Sequence, residues 1–373
     1  MKTLFDTTQI KSMALRNRIV RSATWEGMCD PEGRPTQKLA DCYATLAKGG
    51  VGLIISGYTF VSIEGKQFPG KMGIHTDEFA PAYERLAKAA HASDAKIAVQ
   101  LVHAGGQANP EVSGHASVAP SAVETIQYST KPEALTIPQI QKIAAAFADG
   151  ARRAKAWGFD AVQLHGAHGY LINQFLSPLT NRRSDEYGGP IENRCRFALV
   201  VYEAVRAAVG DEYPVMIKLN AADNLEGGLS EEDALVAARQ LDAAGIDAIE
   251  VSSGTPASGA IGPAREKINT PEKEAYNLAL ASNIKRHISC PVMSVGGFRS
   301  FDVAEKAVSQ ADVDYIALSR PLIREPDLPS RWQQGDTTPA ACVSCNKCFV
   351  PGIKEGGIYC VVEKKAQSRR ERS

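Results

Sequence analysis

Two imidazoles and a phenol stand close together at His165-Gly166-Ala167-His168-Gly169-Tyr170. Paired imidazoles can donate hydrogen bonds to an oxygen on which negative charge develops. A phenol is protonated at neutral pH and can serve as a general acid. A metal pair is the other use of His-x-x-His, since imidazole is a common zinc ligand, although no carboxylate or third histidine is clearly placed to complete it. A second cluster is Cys342-x2-Cys345-x2-Cys348-x11-Cys360. Three closely spaced thiolates and a fourth that returns can hold an iron–sulfur cube or a tetrahedral zinc ion, with unmetallated thiols as the alternative. Cys29, Cys42, Cys195 and Cys290 are scattered and read as small buried hydrophobes.

The elements that position these residues show in the hydrophobic pattern. Apolar runs rich in β-branched residues recur at Ile19–Thr24, Gly52–Gly57, Ile97–Val102, Ala161–His165, Val215–Asn220, Ala248–Ser252, Pro291–Gly296 and Tyr315–Ser319. Being continuous rather than alternating, they read as strands buried on both faces. Helical patterns lie between them, including Ile137–Trp157, Arg196–Val209 and a segment opening at Ser230 with three acidic residues in its first turn. Gly158, Gly210 and Gly245 follow these helices as stop signals. Eight strands alternating with helices predict an α/β fold, a (β/α)8 TIM barrel. The competing open sheet lacks a Gly-x-Gly-x-x-Gly turn after its first strand. The barrel is expected over residues 1–335, with a cysteine-rich segment over 336–373 whose basic end, Lys364–Ser373, is expected to fray.

In a barrel the C-terminal ends of the strands meet at one mouth. Those ends are Ser22-Ala23-Thr24-Trp25-Glu26, Ser56-Gly57-Tyr58, Gln100 to Gly105, His165 to Tyr170, Lys218, Ser252-Ser253-Gly254, Gly296-Gly297 and Ser319-Arg320. The set offers donors, a cation and a phenol but no obvious carboxylate pair, which argues against a two-carboxylate glycosidase. Gly296-Gly297 and Ser319-Arg320 follow strands seven and eight, where barrels commonly bind phosphate. Glycines let backbone N–H groups approach an anion, and the arginine fork can clasp it. Lys and Arg together number 42, as do Asp and Glu, so the net charge is zero. That balance argues against nucleic acid or an anionic membrane as partner. No apolar run approaches the roughly 20 residues that span a bilayer, and the start lacks the apolar core of a secretory signal, so a cytoplasmic location is expected.

The residues resemble the Old Yellow Enzyme family of FMN-dependent NADH:flavin oxidoreductases. The resemblance runs from about Leu4 to Trp332. It is carried by His165 to Pro178, Asn181 to Gly189, Asn17-Arg18-Ile19-Val20, Gln100-Leu101-x-His103-Ala104-Gly105 and Glu192-Asn193-Arg194. It implies FMN across the mouth, with its phosphate near Gly296, Gly297, Ser319 and Arg320. Gln100 would face the pyrimidine edge, and Thr24 the reactive side, with Ala23 and Gly57 beside them. Lys218 would lie at the N1–O2 edge, unless it serves only as an ion-pair partner inside the barrel. His165 and His168 would hold a substrate carbonyl, and Tyr170 would protonate the adjacent carbon. The implied reaction is ping-pong reduction of an α,β-unsaturated carbonyl by NAD(P)H. Oxidative amine dehydrogenation and electron carriage by a flavoprotein subunit are the alternatives. Lys218 stands where the family usually has arginine, and Trp25 and Tyr58 are expected to reshape the cavity.

The cysteine segment resembles the iron–sulfur branch of that family, which includes dienoyl-CoA reductases and trimethylamine dehydrogenases. Cys342-Val343-Ser344-Cys345-Asn346 is similar to its Cys-x-x-Cys-Asn segment. The branch continues into a dinucleotide-binding half. A cluster in this chain is therefore expected to need an electron-donor protein or a homo-oligomer partner, or to be structural.

Overall fold

The computed structural model describes residues 2–310 and 312–370. Eight parallel strands close on themselves: β1 (Ile19–Arg21), β2 (Leu53–Phe60), β3 (Lys96–Val102), β4 (Ala161–Gly166), β5 (Val215–Asn220), β6 (Ala248–Ser252), β7 (Val292–Val295) and β8 (Tyr315–Leu318). Each pairs with its sequence neighbour, and β8 pairs with β1 to complete the (β/α)8 barrel. The main outer helices are α1 (Gln37–Lys48), α2 (Ala80–His91), α3 (Ile137–Ala156), α4 (Arg196–Val209), α5 (Glu231–Ala244), α6 (Leu278–Lys285), α7 (Phe301–Ser309) and α8 (Leu328–Gln333). Local chemistry sets their ends. Thr136 and Gln139 form a capping box at α3, Ser230 caps α5, and Gly245 closes α5 at φ +95°.

The strands are buried on both faces, as expected, but their inward faces are not uniform. Val20, Leu53, Ala98, Ala161, Met216, Ala248, Met293 and Tyr315 fill the lower barrel. A hairpin of Thr8–Ile10 and Met13–Leu15 plugs that end with Ile10, Met13 and Leu15. Two residues further along the same strands, the interior turns polar, with Ser22, Gln100, Gln163, Lys218 and Glu250 hydrogen-bonded to one another. The period of two along a strand therefore separates an apolar floor from a polar ceiling.

The segment after α8 folds back over the mouth. Arg299 clamps Ala340 through both backbone and side chain, and Ile358 N–H donates to the Glu26 carbonyl at 2.8 Å. Ala340 and Ile358 join the same hydrophobic core as the barrel helices. The expected fraying of the basic end is corrected for its described part. Val361–Arg370 forms α9, tethered by the ion pair of Glu363 with Arg324 at 2.9 Å. No helix among the described residues is long and apolar enough to cross a membrane.

Candidate active site

The His-x-x-His-x-Tyr segment leaves β4 at the mouth and turns sharply. His168 takes φ +60°, a conformation uncommon for a residue with a side chain, and Gly169 follows at +75°. The result is a cluster of three rings. His165 and His168 lie 5.1 Å apart, and His165 and Tyr170 lie 4.8 Å apart, all edge to face. Ala167 N–H donates to His165 Nδ1 at 3.3 Å, which leaves the proton on Nε2. His168 Nε2 is paired with Ser252 Oγ at 2.8 Å. The Tyr170 hydroxyl donates to Gln67 at 3.0 Å. Burial drives both imidazoles toward the neutral form. His168 is pushed down to about 3, with the Lys218 ammonium adding to the effect, and His165 lies well below its usual range. Burial also holds the Tyr170 phenol in its protonated form. The site thus offers neutral donors and a protonated acid, and no imidazolium.

Beneath the rings lies the polar layer. Lys218 Nζ sits 3.2 Å from Glu250 and donates to Ser22 Oγ at 2.9 Å. Gln163 donates to Glu250 at 2.8 Å, and Gln100 donates to Gln163 at 2.8 Å. Lys218 is therefore an ion-pair partner inside the barrel. The expectation of no obvious carboxylate pair at the mouth is corrected, because Glu250 and Glu26 are both buried there. Thr24 is held at the mouth by Ser319 at 2.7 Å and by Arg21, and Ala23 beside it packs against the barrel interior. Gly57 lies in a register shift of β2 and brings that strand against Thr24 and Glu26, where a side chain would clash. Glu26 lies 3.7 Å from Arg21, yet burial raises its carboxyl to about 7.

The anion cradle is across the mouth. Gly296, Gly297, Arg299, Ser319 and Arg320 line a cavity of about 70 Å³. Gly296 and Gly297 take φ of +142° and +81°, and a Cβ on either would meet the Tyr276 ring within 3.0 Å. These glycines leave backbone where an anion can approach. Arg320 donates to Asn346 at 2.7 Å and to the Arg265 carbonyl at 2.8 Å, which fixes its fork. The donors suit a phosphate, so the residues fit an FMN held here by its phosphate end.

Arg320 also borders a second cavity, of about 20 Å³, lined by Cys342, Cys345, Cys348 and Cys360. All four thiols are free. The donor set matches that of a cube or a tetrahedral ion. Among the described residues, however, no group of three or more His, Cys, Asp or Glu side chains is disposed to hold a metal ion. A wide recess of about 820 Å³ at the opposite end of the barrel is lined by Arg16, His91 and Lys96, among others. Arg16 is spent on backbone carbonyls, and His91 and Lys96 on Asp160, which leaves little there for chemistry.

Sequence reasoning brought His165, His168, Tyr170 and the cradle together but missed Ser22 as a bridge, Gln163, Glu250, Gln67, Ser252 as the His168 partner, and Lys71. The signal for the polar layer was present in Gln163-x-His165, Lys218-x-Asn220 and Glu250-x-Ser252, polar residues two apart on otherwise apolar strands. Lys71 and Gln67 lie on an irregular loop that carries no period.

Residues 3–338 match the model of the NADH:flavin oxidoreductase / NADH oxidase family. An NADH oxidase of Thermoanaerobacter brockii is 37% identical over 348 residues, covering 92% of this chain and 52% of the relative. The chain thus spans about half the length of that protein. An NADPH dehydrogenase of a Geobacillus species is 37% identical over 327 residues, covering 87% of this chain and 92% of the relative. The structure of the Old Yellow Enzyme homologue from Zymomonas mobilis superposes with a TM-score of 0.79 at 29% identity, covering 95% of this chain and 99% of that one. With the barrel, the ring cluster and the glycine-lined cradle in one chain, the match places the protein: it belongs to the NADH:flavin oxidoreductase / NADH oxidase family, the Old Yellow Enzyme group.

Proposed function

We propose that this chain reduces the activated C=C bond of α,β-unsaturated carbonyl compounds, with FMN at the barrel mouth and NAD(P)H as reductant. The observation that carries the reading is the ring cluster of His165, His168 and Tyr170, with neutral imidazoles and a protonated phenol gathered on one side of the mouth. When bound, FMN supplies the hydride, having first taken it from the nicotinamide. The chain does the rest. His165, with its proton kept on Nε2, donates to the carbonyl oxygen as charge develops there. His168, held by Ser252, completes the oxygen site. Tyr170 gives its proton to the carbon next to the carbonyl, its hydroxyl turning to the substrate from the Gln67 acceptor that holds it at rest. Lys218, fixed by Glu250 and Ser22, would supply positive potential at the barrel mouth where the cofactor binds. Gly296, Gly297, Ser319 and Arg320 hold the phosphate. The four tail cysteines carry the donors of an iron–sulfur cluster, a reading that rests on their chemistry and spacing alone.

The test follows the flavin absorption of anaerobic protein through both halves of the cycle. NAD(P)H should bleach the bands, and an enone should restore them. Tyr170→Phe should leave bleaching intact and slow the return by about 100-fold or more, the scale of a lost general acid. A protein that neither carries nor takes up FMN would defeat the reading.

A further inference from the structure

Lys71 is a buried cation that the reaction above does not use. The short strand Met72–Gly73 pairs with Thr59 and Phe60 of β2, which sets Lys71 beside Tyr58. Its ammonium lies 4.2 Å from the Tyr58 ring centre, 5.6 Å from that of Trp25 and 5.8 Å from that of Phe68. Tyr58 in turn meets Tyr170 edge to face at 5.1 Å, so Lys71 is one ring removed from the proposed acid. The position is fixed. Trp25 donates to the Gly70 carbonyl at 3.4 Å, and the Tyr58 hydroxyl donates to the Gly65 carbonyl at 2.6 Å.

Lys71 is only 6% exposed, yet among the described residues its Nζ makes no hydrogen bond and no ion pair. The other mouth cations are committed: Lys218 to Glu250, Arg21 to Glu26, and Arg320 to Asn346 and the Arg265 carbonyl. A largely buried lysine with ring faces around its ammonium and no hydrogen-bond partner is poorly compensated. Burial accordingly pulls the amine down to about 7, with Glu26 the one charged group acting against this. An incoming anion would complete its shell.

We propose that Lys71 receives a carboxylate of the substrate, so that the reducible double bond belongs to a molecule with a carbonyl at one end and a carboxylate at the other. A single ammonium without a second cation matches a singly charged group; a phosphate would call for the several donors found at the Arg320 cradle. The Tyr58 and Trp25 faces would flank the carbon skeleton. This inference rests on the ene-reductase reading and names its substrate class.

Monomethyl fumarate and dimethyl fumarate share the double bond and one ester, and differ by one carboxylate. Lys71→Gln should raise KM for the monoester by about 10- to 100-fold, the scale of a lost charge-assisted hydrogen bond, and leave the kinetics of the diester unchanged. Lys71→Arg should retain most of the preference. Binding of monomethyl succinate, which cannot be reduced, is read separately by protein fluorescence, to which Trp25 contributes. It should weaken in Lys71→Gln by the same factor, and dimethyl succinate should not respond. Equal losses for monoester and diester, or none for either, would overturn the assignment. Failure of the wild type to turn over either fumarate would count against the ene-reductase reading, and the succinate pair would still decide on Lys71.

Discussion

At the scale of single residues, burial that outweighs a nearby counter-charge is the recurring device. His103 shows it outside the proposed catalytic cluster, with Glu64 as the opposing charge. It is buried at the end of β3, its Nδ1 accepts the Gly105 N–H at 3.0 Å, and Gly65 packs directly on its ring. Burial lowers its pKa from 6.5 to about 4. The unfolded chain therefore binds a proton that the folded chain refuses across that window. Stability from this group is complete above pH 6.5 and is lost as pH falls toward 4. The contribution is on the order of 3 kcal/mol. His103→Asn can keep an acceptor for Gly105 but has no proton to refuse. Melting temperatures measured from neutral pH down to pH 4 should fall less steeply in the variant than in the wild type. Parallel slopes would mean that the acid sensitivity arises from groups other than His103. None of this was legible in the sequence, because His-Ala-Gly at a strand end looks equally suited to solvent or to burial. What decides is Gly65, brought onto the ring from the 3-10 turn Ile63–Gly65 that follows β2.

At the scale of elements, the strand-to-helix turns carry the function, and these were largely legible. The observed strands match the apolar runs to within three residues at each end, and two of them coincide at both ends, Val215–Asn220 and Ala248–Ser252. The glycines after β7 were recognisable only in company: Gly-Gly alone reads equally as a tight turn, and the polar mouth beside it favours a phosphate. Their conformation makes a direct prediction. Gly297→Ala forces a side chain into φ +81° and against the Tyr276 ring. That should cost about 1–2 kcal/mol in stability from backbone strain alone and should release FMN at lower temperature than in the wild type. Loss of stability with full FMN retention would show that the cradle does not hold the phosphate. The cysteine segment was legible as ligand chemistry but not as a place. Only the fold shows that Asn346, next to Cys345, touches the same Arg320 that lines the phosphate cavity. Anaerobically purified protein is expected to contain iron and acid-labile sulfide, both lost in Cys345→Ser. Zinc in stoichiometric amount, or no metal at all, would remove the cluster from the proposal.

For the whole molecule, the central fact is that one set of strands serves as both floor and catalytic support. The lower inward residues are apolar and plugged by the hairpin, so they stabilise the barrel without chemistry. The layer above is a buried network in which Glu250 accepts from Ser22 and Gln163 while facing Lys218. Such a pair adds little net stability, because desolvation offsets attraction, but a pair broken on one side leaves a naked charge. Glu250→Gln should therefore destabilise the protein by about 3–5 kcal/mol, as Lys218 is left uncompensated. The double variant Lys218→Met with Glu250→Gln removes the charge as well and should recover most of that loss in chemical denaturation. If Lys218 has a role beyond packing, the recovered protein will still differ from the wild type. Without that cation at the barrel mouth, reduced flavin loses its stabilising field, and the reduction potential should fall. A double variant that regains stability and keeps the wild-type potential would make the pair purely structural. A stable protein with a lowered potential would show that the barrel retains a buried charge pair for its electrostatic effect at the mouth rather than for its own stability.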